Sequence, residues 1–83
     1  MTRDDIVGVL KKNIAETLDD VDVSNLDTSK TMKEIGANSL DIVEIISRTM
    51  RQLKVKVPRS ELSKLANIDA LIDIIEKKAN ETA

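Results

Sequence analysis

The chain has no cysteine, histidine, phenylalanine, tyrosine or tryptophan. Without cysteine there is no disulfide, no thiolate metal site and no cysteine nucleophile, which fits a reducing compartment. Without histidine the usual general base near neutral pH and the commonest metal ligand are both gone. The missing aromatics remove stacking platforms for bases or sugars and argue against a large ligand pocket. No apolar run approaches the roughly 20 residues of a membrane span. The opening stretch, "MTRDDIVGVL", places acids where a secretory signal would be apolar. These absences point to a soluble, cytoplasmic protein with no catalytic residue set, no metal and no membrane partner.

At 83 residues the expectation is one domain over residues 1–83 with a thin stability margin, since so short a chain buries little of its surface. Net charge is −2, but its distribution is uneven. From Arg3 to Glu34 there are five basic and eight acidic residues; from Arg48 to Arg59 there are five basic residues and no acid.

Apolar periodicity supplies the elements. Ile6, Leu10, Ile14 and Leu18 recur every fourth residue and predict a helix over about Asp4 to Leu18, capped by Thr2. Asp4 and Asp5 suit its first turn, and Asp19-Asp20 mark its end. Residues 21–37 lack a sustained period, yet Val23, Leu26, Met32 and Ile35 predict a loop pinned across the core, with one helical turn near Thr31 to Ile35. Gly36 supplies a turn. A second long helix runs from Ser39 to about Lys54. On it Ile42, Ile45, Ile46, Thr49 and Leu53 fall within an arc of roughly 100°. Leu40, Val43 and Met50 occupy a separate arc with Ser47, Arg51 and Lys54. That arc is either a core that wraps further round or a partner face with an apolar centre and basic rim. Pro58 forces a turn, and a short helix is expected within Ser60 to Leu65. Asn67 caps a last helix whose Ile68, Leu71, Ile72, Ile75 and Ala79 share a face. The sum is an all-α, small four-helix bundle: three longer helices, one short third helix, and a long loop between the first two.

Within "GANSLDIVEIIS" sits Ser39, with three readings open. Asn38 and Ser39 are both good helix caps, the commonest role for such residues. A nucleophile needs an activating base, but there is no His or Cys, and Asp41 is two positions away and points elsewhere. "GANSL" also lacks the second glycine of a G-x-S-x-G elbow. The third reading makes Ser39 a substrate, exposed at a helix start whose N–H groups favour a phosphate.

"EIGANSLDIVEII" resembles the G-[AIV]-D-S-L-x-x-V/A-E signature of acyl carrier proteins, and the resemblance extends from Ile6 to about Lys78. It implies that Ser39 carries 4′-phosphopantetheine donated by coenzyme A, and that acyl groups ride on it as thioesters. The cofactor's own thiol then explains how a chain without cysteine could do thioester work. It further implies a monomeric, non-catalytic carrier that is a substrate of a phosphopantetheinyl transferase and of acyl-transferring or condensing enzymes such as ketosynthases and acyltransferases. The partner surface it implies comprises Asn38, Leu40, Val43 and Glu44, joined by Ser47, Met50, Arg51 and Lys54 of the second arc.

The sequence departs from the family twice. Asn38 stands where the family has aspartate; it keeps the capping ability and loses the charge that helps engage the transferase. Arg48, Arg51, Lys54, Lys56 and Arg59 stand where fatty-acid-synthesis carriers are acidic, so basic partners would meet like charge. The first bears on how readily the transferase modifies Ser39; the second, the charge, points to a specialised pathway, polyketide or related secondary-metabolite assembly. "VPRSELSKLANIDAL" further resembles carriers that donate to an HMG-CoA-synthase-like enzyme in β-branching. The alternatives are an aminoacyl or peptidyl carrier using the same Ser39, and a non-carrier helical adaptor using the basic Arg48–Arg59 surface. Nucleic acid is disfavoured as a partner by the missing aromatics and by Asp41 and Glu44 on the same helix.

Overall fold

Four α-helices account for most of the described residues in the computed structural model, which describes residues 2–62 and 65–82. Helix α1 spans Arg3–Thr17, α2 Ser39–Leu53, α3 Arg59–Leu62 and α4 Ile68–Thr82. Among the described residues every regular element is helical. The expected third helix falls partly on Ser63 and Lys64, which lie outside the described residues.

Local chemistry explains each boundary. Thr2 and Asp5 form a reciprocal capping box at the start of α1, Thr2 Oγ1 accepting from Asp5 N and Asp5 Oδ2 from Thr2 N. The helix ends at Leu18, ahead of Asp19-Asp20, whose charge would oppose the negative end of the dipole. Helix α2 ends on Lys54, which takes a left-handed conformation (φ 57°, ψ 40°), with Val55 N donating to Met50 O at 2.9 Å. At α4, Asn67 Oδ1 accepts from Ala70 N at 2.9 Å, the predicted cap.

The core is aliphatic. Ile6, Leu10 and Ile14 of α1, Ile45 and Leu53 of α2, and Ile68, Leu71, Ile72, Ile75 and Ala79 of α4 are buried. Val55 and Val57 alternate inward after α2 and close one side. Two polar side chains are fully buried among them. Asn13 Nδ2 donates to Thr49 Oγ1 (2.9 Å) and to Gln52 Oε1 (3.1 Å), and Thr49 Oγ1 donates to Ile45 O (2.8 Å). This seam joins α1 to α2, and the apolar period did not reveal it, because Asn13 reads as a polar interruption.

The long loop is held at several points. A single 3-10 turn, Val23–Asn25, is capped by Asp22, which receives Ser24 N, the Ser24 hydroxyl and Asn25 Nδ2. The predicted turn after Thr31 forms, with Thr31 and Glu34 exchanging side-chain and backbone hydrogen bonds. Met32 and Ala37 are buried, and Val23, Leu26 and Ile35 pack against the core. Two loop carbonyls, Lys30 O and Thr28 O, accept from Ile68 N and Asp69 N and so satisfy the first turn of α4.

Candidate functional site

Gly36 turns the chain into α2 with φ 109°, a conformation that glycine adopts without a Cβ penalty. Asn38 follows as the cap. Its Oδ1 accepts from Asp41 N at 2.8 Å, and Asp41 Oδ2 accepts from Asn38 N at 3.2 Å. The two candidate caps are thereby separated: Asn38 caps and Ser39 is the first residue inside the helix. Ser39 is exposed, and its hydroxyl makes no hydrogen bond among the described residues.

Other hydroxyls contrast with it. Those of Ser24 and Ser29 are held by Asp22 and Asp27, those of Thr2 and Thr31 accept capping hydrogen bonds, and Thr49 is buried. Ser39 alone of this set stands uncommitted at a long helix's N-terminus, where first-turn N–H groups and the dipole favour an anion. An exposed, uncommitted hydroxyl in that setting fits a phosphodiester. No basic side chain is hydrogen-bonded to it among the described residues.

From Ser39 the outward stripe of α2 continues through the second arc. Leu40 is 81% exposed and Val43 56%, so the core does not wrap round to cover them. Met50 behaves differently: it is half-buried and packs against the core. The wrapped-core reading of that arc therefore holds for Met50, which lies nearest in angle to the core face, and not for Leu40 or Val43. Ser47 is half-buried, while Arg51 and Lys54 are exposed. Ser47, Met50, Arg51 and Lys54 share one shallow cleft with Val55 and Lys56.

The basic cluster is smaller than its sequence implies. Arg48 Nε lies 2.8 Å from Glu44 Oε1, and its Nη1 lies 3.3 Å from Glu16 Oε2 of α1, so its charge is matched. Glu44 is exposed within that pair. The side chain of Arg59 lies outside the described ones.

On the opposite side of α2 an apolar cavity of about 150 Å³ lies between Ile42 and Ile46 of α2, Met32 of the loop, Leu62, and Ile68 and Leu71 of α4. Ile42 stands one turn beyond Ser39. Sequence reasoning did not find this cavity, because its lining comes from elements distant in the chain.

Among the described residues no cluster of acidic side chains could hold a metal, and no helix is long and apolar enough to cross a membrane. A family model described as "Phosphopantetheine attachment site" matches residues 9–75. The chain is 36% identical to "Polyketide biosynthesis acyl-carrier-protein AcpK" of Bacillus subtilis (strain 168), over 94% of this chain and 95% of that protein. It is 35% identical to an acyl carrier protein of Campylobacter lari, over 81% of this chain and 87% of that one. It is also 32% identical to an acyl carrier protein of Thermotoga maritima, over 93% and 95%. Members of this family are substrates of phosphopantetheinyl transferases and of acyl-transferring enzymes. The chain therefore belongs to the acyl carrier proteins, non-catalytic carriers whose thioester chemistry resides in a covalently attached 4′-phosphopantetheine.

Proposed function

We propose that Ser39 is the attachment residue and that the chain carries acyl intermediates for polyketide or related secondary-metabolite assembly. The observation that supports the attachment is the division of labour at the start of α2. Asn38 and Asp41 satisfy the cap, which leaves the Ser39 hydroxyl exposed and unpaired for a transferase. The group attached there supplies the thiol that holds the acyl chain. The residues of this chain would hold it: the first turn of α2 would favour its phosphate, and exposed Leu40 and Val43 would offer it apolar contact.

The likeness to a polyketide-biosynthesis carrier over nearly the whole of both chains supports the pathway, as does the cationic end of α2, which disfavours partners with basic docking surfaces. Donation to an HMG-CoA-synthase-like enzyme is the finer reading and rests on the "VPRSELSKLANIDAL" stretch. The partner surface comprises Asn38, Leu40, Val43, Glu44, Ser47, Met50, Arg51 and Lys54. The cavity beside Ile42 has room for about five waters at roughly 30 Å³ each, which suits a short acyl chain.

The attachment is tested by intact mass after co-expression with a broad-specificity phosphopantetheinyl transferase. The wild type is expected to gain one phosphopantetheine, and Ser39→Ala none. A gain that persists in Ser39→Ala removes Ser39 from this role, and no gain in either the wild type or Asn38→Asp removes the carrier reading. Loading of the modified protein with acyl and aminoacyl donors then separates an acyl carrier from an aminoacyl carrier.

A further inference from the structure

The outward stripe of α2 changes sign along its length. Glu44 stands in its second turn and is matched by Arg48. Beyond Arg48 come Arg51, Lys54 and Lys56, all exposed and without an ion pair among the described residues. They rim the cleft whose floor includes half-buried Met50 and buried Val55. An apolar floor inside a cationic rim is complementary to an apolar side chain flanked by carboxylates.

The backbone supplies an independent observation. Lys54 is the one non-glycine residue with a positive φ among the described residues. It occupies the helix-ending position that glycine fills without strain. The strain there coincides with a cation held at the rim of the cleft, as expected of a position kept for binding rather than stability.

We infer that this cleft is a docking anchor for a protein partner carrying an acidic, apolar-centred segment. The partner's apolar residue seats on Met50 and Val55, and its carboxylates pair with Arg51, Lys54 and Lys56. From Met50 to Lys54 the anchor lies about 17–22 Å from Ser39 along the helix, at 1.5 Å per residue. A partner that reaches Ser39 therefore spans α2 from end to end, and it is chosen at the end remote from the chemistry. This inference rests on the carrier reading only for the partner's reason to visit Ser39. Phosphate polymers are a poorer match, because they offer no apolar group to the Met50 and Val55 floor.

The test uses the isotope-labelled full chain titrated by NMR with two helical peptides of equal length. Each presents leucines, flanked in one peptide by glutamates and in the other by lysines. Vesicles containing phosphatidylglycerol and a DNA duplex form the further arms. The glutamate peptide is expected to shift the amides of Ser47 to Lys56, to leave Ser39 and Leu40 in place, and to weaken with salt. The Arg51→Glu/Lys54→Glu variant should lose affinity by about tenfold or more. Lys54→Gly should also weaken binding while raising the melting temperature, which separates loss of the cation from loss of the fold. Equal response to the lysine peptide, shifts centred elsewhere, or undiminished affinity in the double variant overturns the inference. So does tighter binding of vesicles or DNA, or concentration-dependent shifts of the same amides without peptide, which would assign the cleft to a second copy. The titration does not use the prosthetic group, so its outcome is independent of the mass gain at Ser39.

Discussion

At the scale of single residues, the start and the end of α2 show the same backbone problem solved in opposite ways. At the start, Asn38 and Asp41 pair reciprocally, and the strain-free cap leaves Ser39 free. At the end, Lys54 accepts a left-handed conformation. For a non-glycine residue that costs about 1–2 kcal/mol, against which glycine's extra unfolded-state entropy counts for roughly 0.5–1 kcal/mol. Lys54→Gly is therefore expected to stabilise the fold by about 0.5–1 kcal/mol, raising the melting temperature by about 3–6 °C in a chain of this size. Thermal unfolding followed by circular dichroism reads this; a lowered melting temperature would show that the lysine stem packs usefully where it stands. From sequence alone Asn38 and Ser39 were equally good caps. The choice depends on which side chain reaches the N–H of the third helical residue, and the backbone angle of Asn38 (φ −86°, ψ 179°) decides it.

At the scale of elements, helix positions and inward faces were legible because a buried face must recur with the helical period. The predicted faces of α1, α2 and α4 are the buried ones, apart from partial exposure at Ile42 and Ile46. What the period concealed is the polar seam between α1 and α2. Asn13 Oδ1 there is buried without a hydrogen-bond partner, so the seam already carries one unmet group. Thr49→Val removes the acceptor for Asn13 Nδ2 and leaves Gln52 alone to satisfy it. The expected cost is about 1–2 kcal/mol, measured by urea denaturation. A neutral result would mean that Asn13 turns to find another partner. The 3-10 turn at Val23–Asn25 was likewise illegible, because it is set by Asp22 receiving neighbouring donors and leaves no periodic trace.

At the scale of the whole molecule, the radius of gyration is 11.7 Å, close to the roughly 12 Å expected of a compact chain of this length. Distant segments hold it together. Arg3 reaches Asp69, Asp73 and Glu76, tying α1 to α4, and the loop carbonyls cap α4. Several aspartates contribute through local hydrogen bonds. Asp22 is held below the usual carboxylate range, chiefly by the Ser24 hydroxyl, and Asp27 chiefly by that of Ser29; Asp5 is lowered by the Thr2 backbone. A carboxyl whose folded pKa is depressed stabilises the fold above its unfolded value, and that contribution is lost as pH falls through the folded value. Melting temperature is therefore expected to be level near neutral pH and to fall below about pH 4, the ordinary aspartate range. Hydrogen exchange should show residues 21–37 loosening first; loss beginning at α4 instead would place the acid-sensitive contacts elsewhere. The sequence by itself determined the helices, their core faces and the signature around Ser39, because each is written in spacings within a single element. Tertiary structure decided what periodicity cannot report: that Met50 is partly covered and Leu40 is not, that Glu16 of α1 draws Arg48 out of the basic cluster, and that loop carbonyls complete α4. Coverage and charge matching depend on which other segment arrives beside a residue, and that neighbour lies far away in the chain.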